Sequence, residues 1–118
     1  GILVMKKISF YIYQEDLIKY ETEQEYVTIS QLVCDLNQKY CTANMLRLRT
    51  ETITEYLKEQ NYLCVDKNNK KYPTPKGRIL GITVGSNTDE KGNKYVVNLY
   101  NKKAQQYILD NLYNIISS

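Results

Sequence analysis

The chain has 118 residues, of which 25% are charged and 42% hydrophobic, and a formal charge of +3; these values suit one globular domain and exclude a disordered polar tract. It carries 12 Tyr, one Phe, no Trp and no His, so its core must use tyrosine rings whose hydroxyls reach water or backbone, and it lacks the usual general base and metal ligand. No apolar run approaches the roughly 18 residues of a membrane helix, and the expected location is the cytoplasm. The opening "GILV" is too short for a signal peptide. Residues 1–4 are expected to be a tag remnant or a disordered start, and residues 5–118 a single domain.

In chain order, Phe10, Tyr13, Leu17 and Tyr20 recur at helical spacing, which predicts a first helix over Phe10–Tyr20, after a short strand in the β-branched run before it. Thr28 or Ser30 can cap a second helix. Thr28 with Gln31 fits a capping box, Ile29, Leu32, Val33 and Leu36 line one face, and the helix is expected to end near Asn37. In "MLRLRTETITEYLKEQ" the spacing of Leu46, Ile53 and Leu57, with Tyr56 beside them, marks the apolar side of a third helix. Thr50 or Thr52 can cap it if it begins late, which would leave "MLRL" a separate turn.

"YLCV" then reads as a strand, "DKNNKK" as a hairpin tip with Asn68 and Asn69 suited to positive φ, and Tyr72 as the start of the returning strand. Thr74 before Pro75 is an N-cap with proline at the first helical position, opening a short helix that Gly81 closes. Two strands follow around a loop carrying Gly85, Gly92 and Asn93. A last helix places Ala104, Ile108, Leu112 and Ile115 or Ile116 on one face. The expected fold class is α+β: a winged helix-turn-helix with an added β-hairpin and a C-terminal helix. In that arrangement the third helix can enter the major groove and the basic hairpin can lie along phosphates.

The blocks "TISQLVCDLNQ", "ITEYLKEQNYL", "PTPKGRILGI" and "AQQYILDNL" resemble small helix-turn-helix modules of phage antirepressor-type regulators and accessory domains at the ends of some bacterial helicases. The likeness spans roughly Val27 to Leu112. It departs from the pattern at Tyr56, where a Trp is usual, and at Asn61, where a Gly is frequent. The resemblance implies a bacterial or phage DNA-binding accessory or regulatory module. Its motifs are turns and core positions, so it speaks to fold more than to function.

Charge is divided along the chain. Through Gln60 seven Lys/Arg face nine Asp/Glu, a net −2; from Asn61 onward nine face four, a net +5. A polyanion would be drawn to the second half. Lys67, Lys70, Lys71, Lys76 and Arg78 place five cations within twelve residues and can neutralise several phosphates. The exposed face of the third helix is expected to carry Arg47, Thr54 and Lys58, which with Arg49 can reach base edges or phosphates, although Glu51 and Glu55 share that face.

No nucleotide-binding loop, nucleophile elbow or paired-carboxylate motif is present, so no catalysis and no cofactor are expected. Cys34, Cys41 and Cys64 form no CxxC pair and are expected to bind no metal and make no disulfide. Two functions stay open: a nucleic-acid-binding module that uses the wing, or a protein-interaction module that offers its Tyr-rich surface or the edge of "KYVVNLY" to a partner or a second copy.

Overall fold

The computed structural model describes residues 6–117, an α+β fold of helices packed around a small antiparallel sheet and a separate hairpin. The expectation for residues 1–4 lies outside the described residues. The elements are α1 (Gln14–Lys19), β1 (Tyr26–Val27), α2 (Ile29–Tyr40), α3 (Thr50–Glu59), β2 (Leu63–Val65), β3 (Lys71–Pro73), α4 (Pro75–Leu80), β4 (Ile82–Thr88), β5 (Lys94–Asn101), α5 (Lys102–Asp110) and α6 (Leu112–Ser117). The larger sheet has the order β1-β5-β4, all antiparallel, and β2 pairs with β3 alone. Among the described residues no helix is long and apolar enough to cross a membrane.

The N-terminal segment corrects the first expectation. Phe10 and Ile12 are buried while Tyr11 and Tyr13 are exposed, a period of two that belongs to extended chain, so the helix begins only at Gln14. Just before it, Ile8 forms an isolated parallel bridge with Met45: its N–H donates to the Asn44 carbonyl (2.8 Å) and its carbonyl accepts from Leu46 (2.7 Å).

Thr28 is the cap of α2. Its hydroxyl accepts from Gln31 N, and the Gln31 side chain accepts from Thr28 N, which closes the capping box. The helix runs past Asn37 to Tyr40, because the Asn37 amide turns inward rather than terminating its own helix. It donates to the Leu48 carbonyl (3.0 Å) and accepts from the Leu48 N–H (2.8 Å), pinning the backbone of that residue. The consequence for α3 is a late start at Thr50, behind Arg49, which offers no side-chain cap. Leu46, expected on the apolar side of this helix, lies outside it and is 55% exposed; Leu48 takes the core position instead.

The turns follow local chemistry. The Asp66 carboxylate accepts from Asn68 N (2.8 Å) and Lys70 N (2.9 Å) and shapes the β2–β3 tip, where Asn69 but not Asn68 adopts positive φ; Asn61, between α3 and β2, does so too. Thr74 caps α4 by accepting from Gly77 N, with Pro75 at the first position as expected. Gly77 leaves room for the Tyr62 carbonyl, which any Cβ there would strike. Gly81 closes α4 at φ 120, a conformation that side-chain-bearing residues rarely adopt. Gly85, expected in a loop, sits within β4 opposite Val97, so the loop between β4 and β5 is only 89–93.

The expected last helix is divided at Asn111 into α5 and α6, yet its face is continuous: Ala104, Ile108, Leu112 and Ile115 are all buried. They share one core cluster with Ile53, Leu57, Leu36, Ile82 and Tyr100. A second inward amide, Gln105, donates to the Tyr100 carbonyl (2.9 Å) and the Gln24 carbonyl (3.1 Å), tying α5 to the segment before β1.

Replacing Asn37 with Ala would strand a buried N–H and a buried carbonyl of Leu48. Each stranded group costs about 1–3 kcal/mol, so urea denaturation is expected to show a loss of about 2–6 kcal/mol. An exposed substitution such as Lys91→Ala should stay within about 0.5 kcal/mol.

Candidate nucleic-acid interface and a second cleft

The nine candidate residues fall on α3, the β2–β3 hairpin, α4 and the segment leading into α3. Arg47 and Arg49 lie on the segment before α3, Thr54 and Lys58 on α3, Lys67 and Lys70 on the β2–β3 tip, Lys71 at the start of β3, and Lys76 and Arg78 on α4. Arg47 is therefore not part of the exposed face of the third helix. The remaining face is dominated by acids, because Glu51, Glu55 and Glu59 are exposed on it.

Carboxylates neutralise several of these cations. Arg49 pairs with Glu51 (3.4 Å) and Lys58 with Glu55 (3.3 Å). The other oxygen of Glu55 lies 3.7 Å from Lys71, which bridges α3 to the hairpin. The Thr54 hydroxyl turns back on the Glu51 carbonyl (3.4 Å). Among the described residues no carboxylate compensates Lys76: its ammonium donates to the Gln60 carbonyl (2.8 Å) and lies 4.3 Å from the centre of the Tyr62 ring.

Lys67, Lys70 and Arg78 are exposed and make no ion pair among the described residues. Lys70 lies 5.8 Å from the centre of the Tyr72 ring. Near them Lys103, on the first turn of α5, donates to the Ile79 carbonyl at the end of α4 (3.4 Å), so its charge joins that of Arg78. The sequence hides the Glu55–Lys71 bridge, since nothing local links residues on two different elements.

A cleft of about 430 Å³ on another side of the molecule was not signalled by any motif. It lies between the segment after α1 and the outer face of α2, and its walls include Tyr20, Glu23, Cys34, Asp35 and Lys39, with the buried Gln105 at its lining. Its polar groups satisfy one another. The Tyr20 hydroxyl donates to Asp35, Lys39 pairs with Asp35 (3.1 Å), and the same ammonium lies 5.0 Å from the centre of the Tyr20 ring. The Tyr20 hydroxyl, and after it the Lys39 ammonium, hold the Asp35 carboxyl below its ordinary range. Burial and then the bond to Asp35 push the Tyr20 hydroxyl upward. Only the (i, i+4) relation of Asp35 and Lys39 is visible in the sequence.

Cys34 and Cys64 are exposed and Cys41 is half-buried; all three are free thiols. Among the described residues no group of cysteines and carboxylates is arranged to hold a metal ion. Comparison of the chain with protein-family models, with curated proteins and with solved structures finds no match.

Because the folded pKa of Asp35 is depressed, its contribution to stability is present above the unfolded value and is lost as pH falls through the lowered folded value. Tyr20→Phe is expected to return that pKa toward the ordinary value of about 4, followed by the carboxyl chemical shift in an acid titration. An unchanged titration would mean that Lys39 alone sets it.

Proposed function

We propose that this chain is a nucleic-acid-binding accessory or regulatory module of winged helix-turn-helix type, which contacts the phosphate backbone through the β2–β3 hairpin and α4. The observation that carries the reading is the set Lys67, Lys70, Lys76 and Arg78, exposed cations that no carboxylate neutralises among the described residues, on two consecutive elements. The order helix, helix, hairpin over α2, α3 and β2–β3 supports the winged form. Such an array favours any polyanion and gives binding that weakens with salt.

Base reading by α3 is not part of the proposal. The connection from α2 to α3 runs over residues 41–49, longer than the three or four residues of a tight helix-turn-helix. Glutamates on the exposed face would also repel phosphates. Arg47, Arg49, Thr54 and Lys58 are accordingly assigned at most flanking phosphate contacts, with Arg47 the best placed because it makes no ion pair among the described residues. A protein-interaction role is the second reading, favoured by Val84, Tyr95 and Val96, which are 38–47% exposed on the β4–β5 hairpin.

The test is a salt titration with short duplex DNA of unrelated sequences. The double change Lys67→Glu and Lys70→Glu is expected to weaken binding to each duplex by a similar factor. It should flatten the plot of log affinity against log salt by roughly 0.9 for each phosphate that is no longer neutralised. Glu55→Gln, which releases Lys58 and Lys71, is expected to strengthen binding. Absence of any retention of single- or double-stranded DNA at low salt would remove the proposal and leave the protein-interaction reading.

A further inference from the structure

The β4–β5 hairpin extends beyond the core as a two-stranded arm. Only its base is packed: Ile82 and Tyr100 are buried, whereas Thr83, Val84 and all of 86–96 are exposed. The sheet order makes β4 an outer strand; β1 covers the far side of β5 only at Tyr100 and Asn101, so in the arm Lys94, Val96 and Asn98 of β5 also direct their backbone groups away from β4 with no strand beside them.

Which backbone groups of β4 face outward follows from the register. Asn101 N donates to the Gly81 carbonyl and Asp89 N to the Asn93 carbonyl, so odd-numbered residues carry the ladder between β4 and β5. With the period of two, Thr83, Gly85 and Asn87 bond to β5, and Val84, Ser86 and Thr88 direct their N–H and carbonyl groups away from it. β4 reads Ile-Thr-Val-Gly-Ser-Asn-Thr: no charge, no proline and no bulge blunts this edge.

The other hairpin is guarded. Asp66 N bonds to Lys70 O and Thr74 N to Tyr62 O, so Lys71 and Pro73 are the residues of β3 that face outward. Pro73 has no N–H to offer, and the Lys71 carbonyl is already occupied by the Asn98 amide at 3.0 Å. The contrast sets the open edge of β4 apart from that of β3.

We propose that β4 pairs antiparallel with β4 of a second copy of this chain across a two-fold axis at Gly85. This register centres the strand on the axis and satisfies the outward groups of Val84 and Ser86 reciprocally. Val84 exchanges two bonds with Ser86 of the second copy and Ser86 with its Val84; Thr88 comes opposite Ile82, which is buried, so the pairing ends there. At the axis two glycines meet in the closely spaced, non-bonded pair, where side chains would crowd.

In the same register the acids Asp89 and Glu90 at the tip of each arm run toward the base of the other, where Arg78 and Lys103 lie exposed, while Lys91 and Lys94 balance these acids on the tip itself. The two three-stranded sheets become one continuous sheet, and Val84 gains cover. This pairing of two copies does not depend on nucleic-acid binding.

The experiment is sedimentation over a concentration series, without DNA, coupled to amide exchange by NMR. Wild type is expected to reach twice the chain mass as concentration rises. The amides of Val84 and Ser86 should slow with dimerisation, while those of Thr83, Gly85 and Asn87 are protected at every concentration. Ser86→Pro removes an outward N–H and Val84→Lys places a charge on the edge; both are expected to sediment as monomers with the circular dichroism of wild type. Val96→Lys, on the neighbouring strand, should still dimerise. A wild-type monomer at millimolar concentration, a dimer in which Val84 and Ser86 exchange freely, or a dimer that survives both edge variants would overturn the proposal.

Discussion

The arrangement of the helices depends on the Asn37 amide. It is buried, and both of its hydrogen-bonding functions are spent on the backbone of one residue, Leu48. That pair of bonds does what a strand partner would do. It anchors the backbone of a segment that belongs to neither sheet and delivers Leu48 to the core. It also sets the point from which α3 must begin. The inward direction of Ile53 and Leu57, and with it the packing of α3 against α6, follows from that starting point. Gln105 performs a similar service at the other end of the core, where its amide holds the Gln24 carbonyl of the segment between α1 and β1.

Much of this architecture was legible where the signal is local. The capping box of Thr28 and Gln31, the Thr74-Pro75 start of α4 and the Gly81 stop each need only a few adjacent residues, because the groups they satisfy are the orphan donors and acceptors of one helix end. The apolar faces of α2, α5 and α6 were legible for the same reason. Leu46 misled because its spacing from Ile53 is helical, and the constraint that overrides it comes from Asn37, a residue in another helix. Phe10 to Tyr13 misled because so short an apolar and aromatic run satisfies a helical and an extended pattern equally. Only the burial of Ile12 separates the two.

The candidate interface was legible as a list of cations and illegible as an electrostatic surface. Lys71 looks equivalent to Lys67 and Lys70 in sequence, yet Glu55 draws it onto α3 and leaves it less exposed, with the side chain at 24%. A pair this open to solvent contributes little to stability. Its effect is on the surface: Lys58 and Lys71 share one carboxylate, and the positive field is concentrated at the hairpin tip and α4. The same bridge orients the hairpin, since the Lys71 ammonium is held by α3 while its carbonyl is held by Asn98 of β5.

The two hairpins thus meet the problem of an open strand edge with opposite chemistry. In β3 the outward positions are a proline and a carbonyl already bonded, and the tip beyond them is lysine-rich; every one of these features discourages a further strand and keeps the tip in water. In β4 the outward positions are ordinary residues with unspent donors and acceptors, no lysine interrupts the strand, and Gly85 leaves space that the Leu99 side chain fills from β5. A lysine at Val84 or Ser86 would guard the edge without disturbing the ladder to β5, because side chains there point off the sheet face and their backbone bonds face outward. The protection that β3 carries would therefore have required only one substitution in β4, and its absence leaves the arm open to association away from the cations at the tip of the other hairpin.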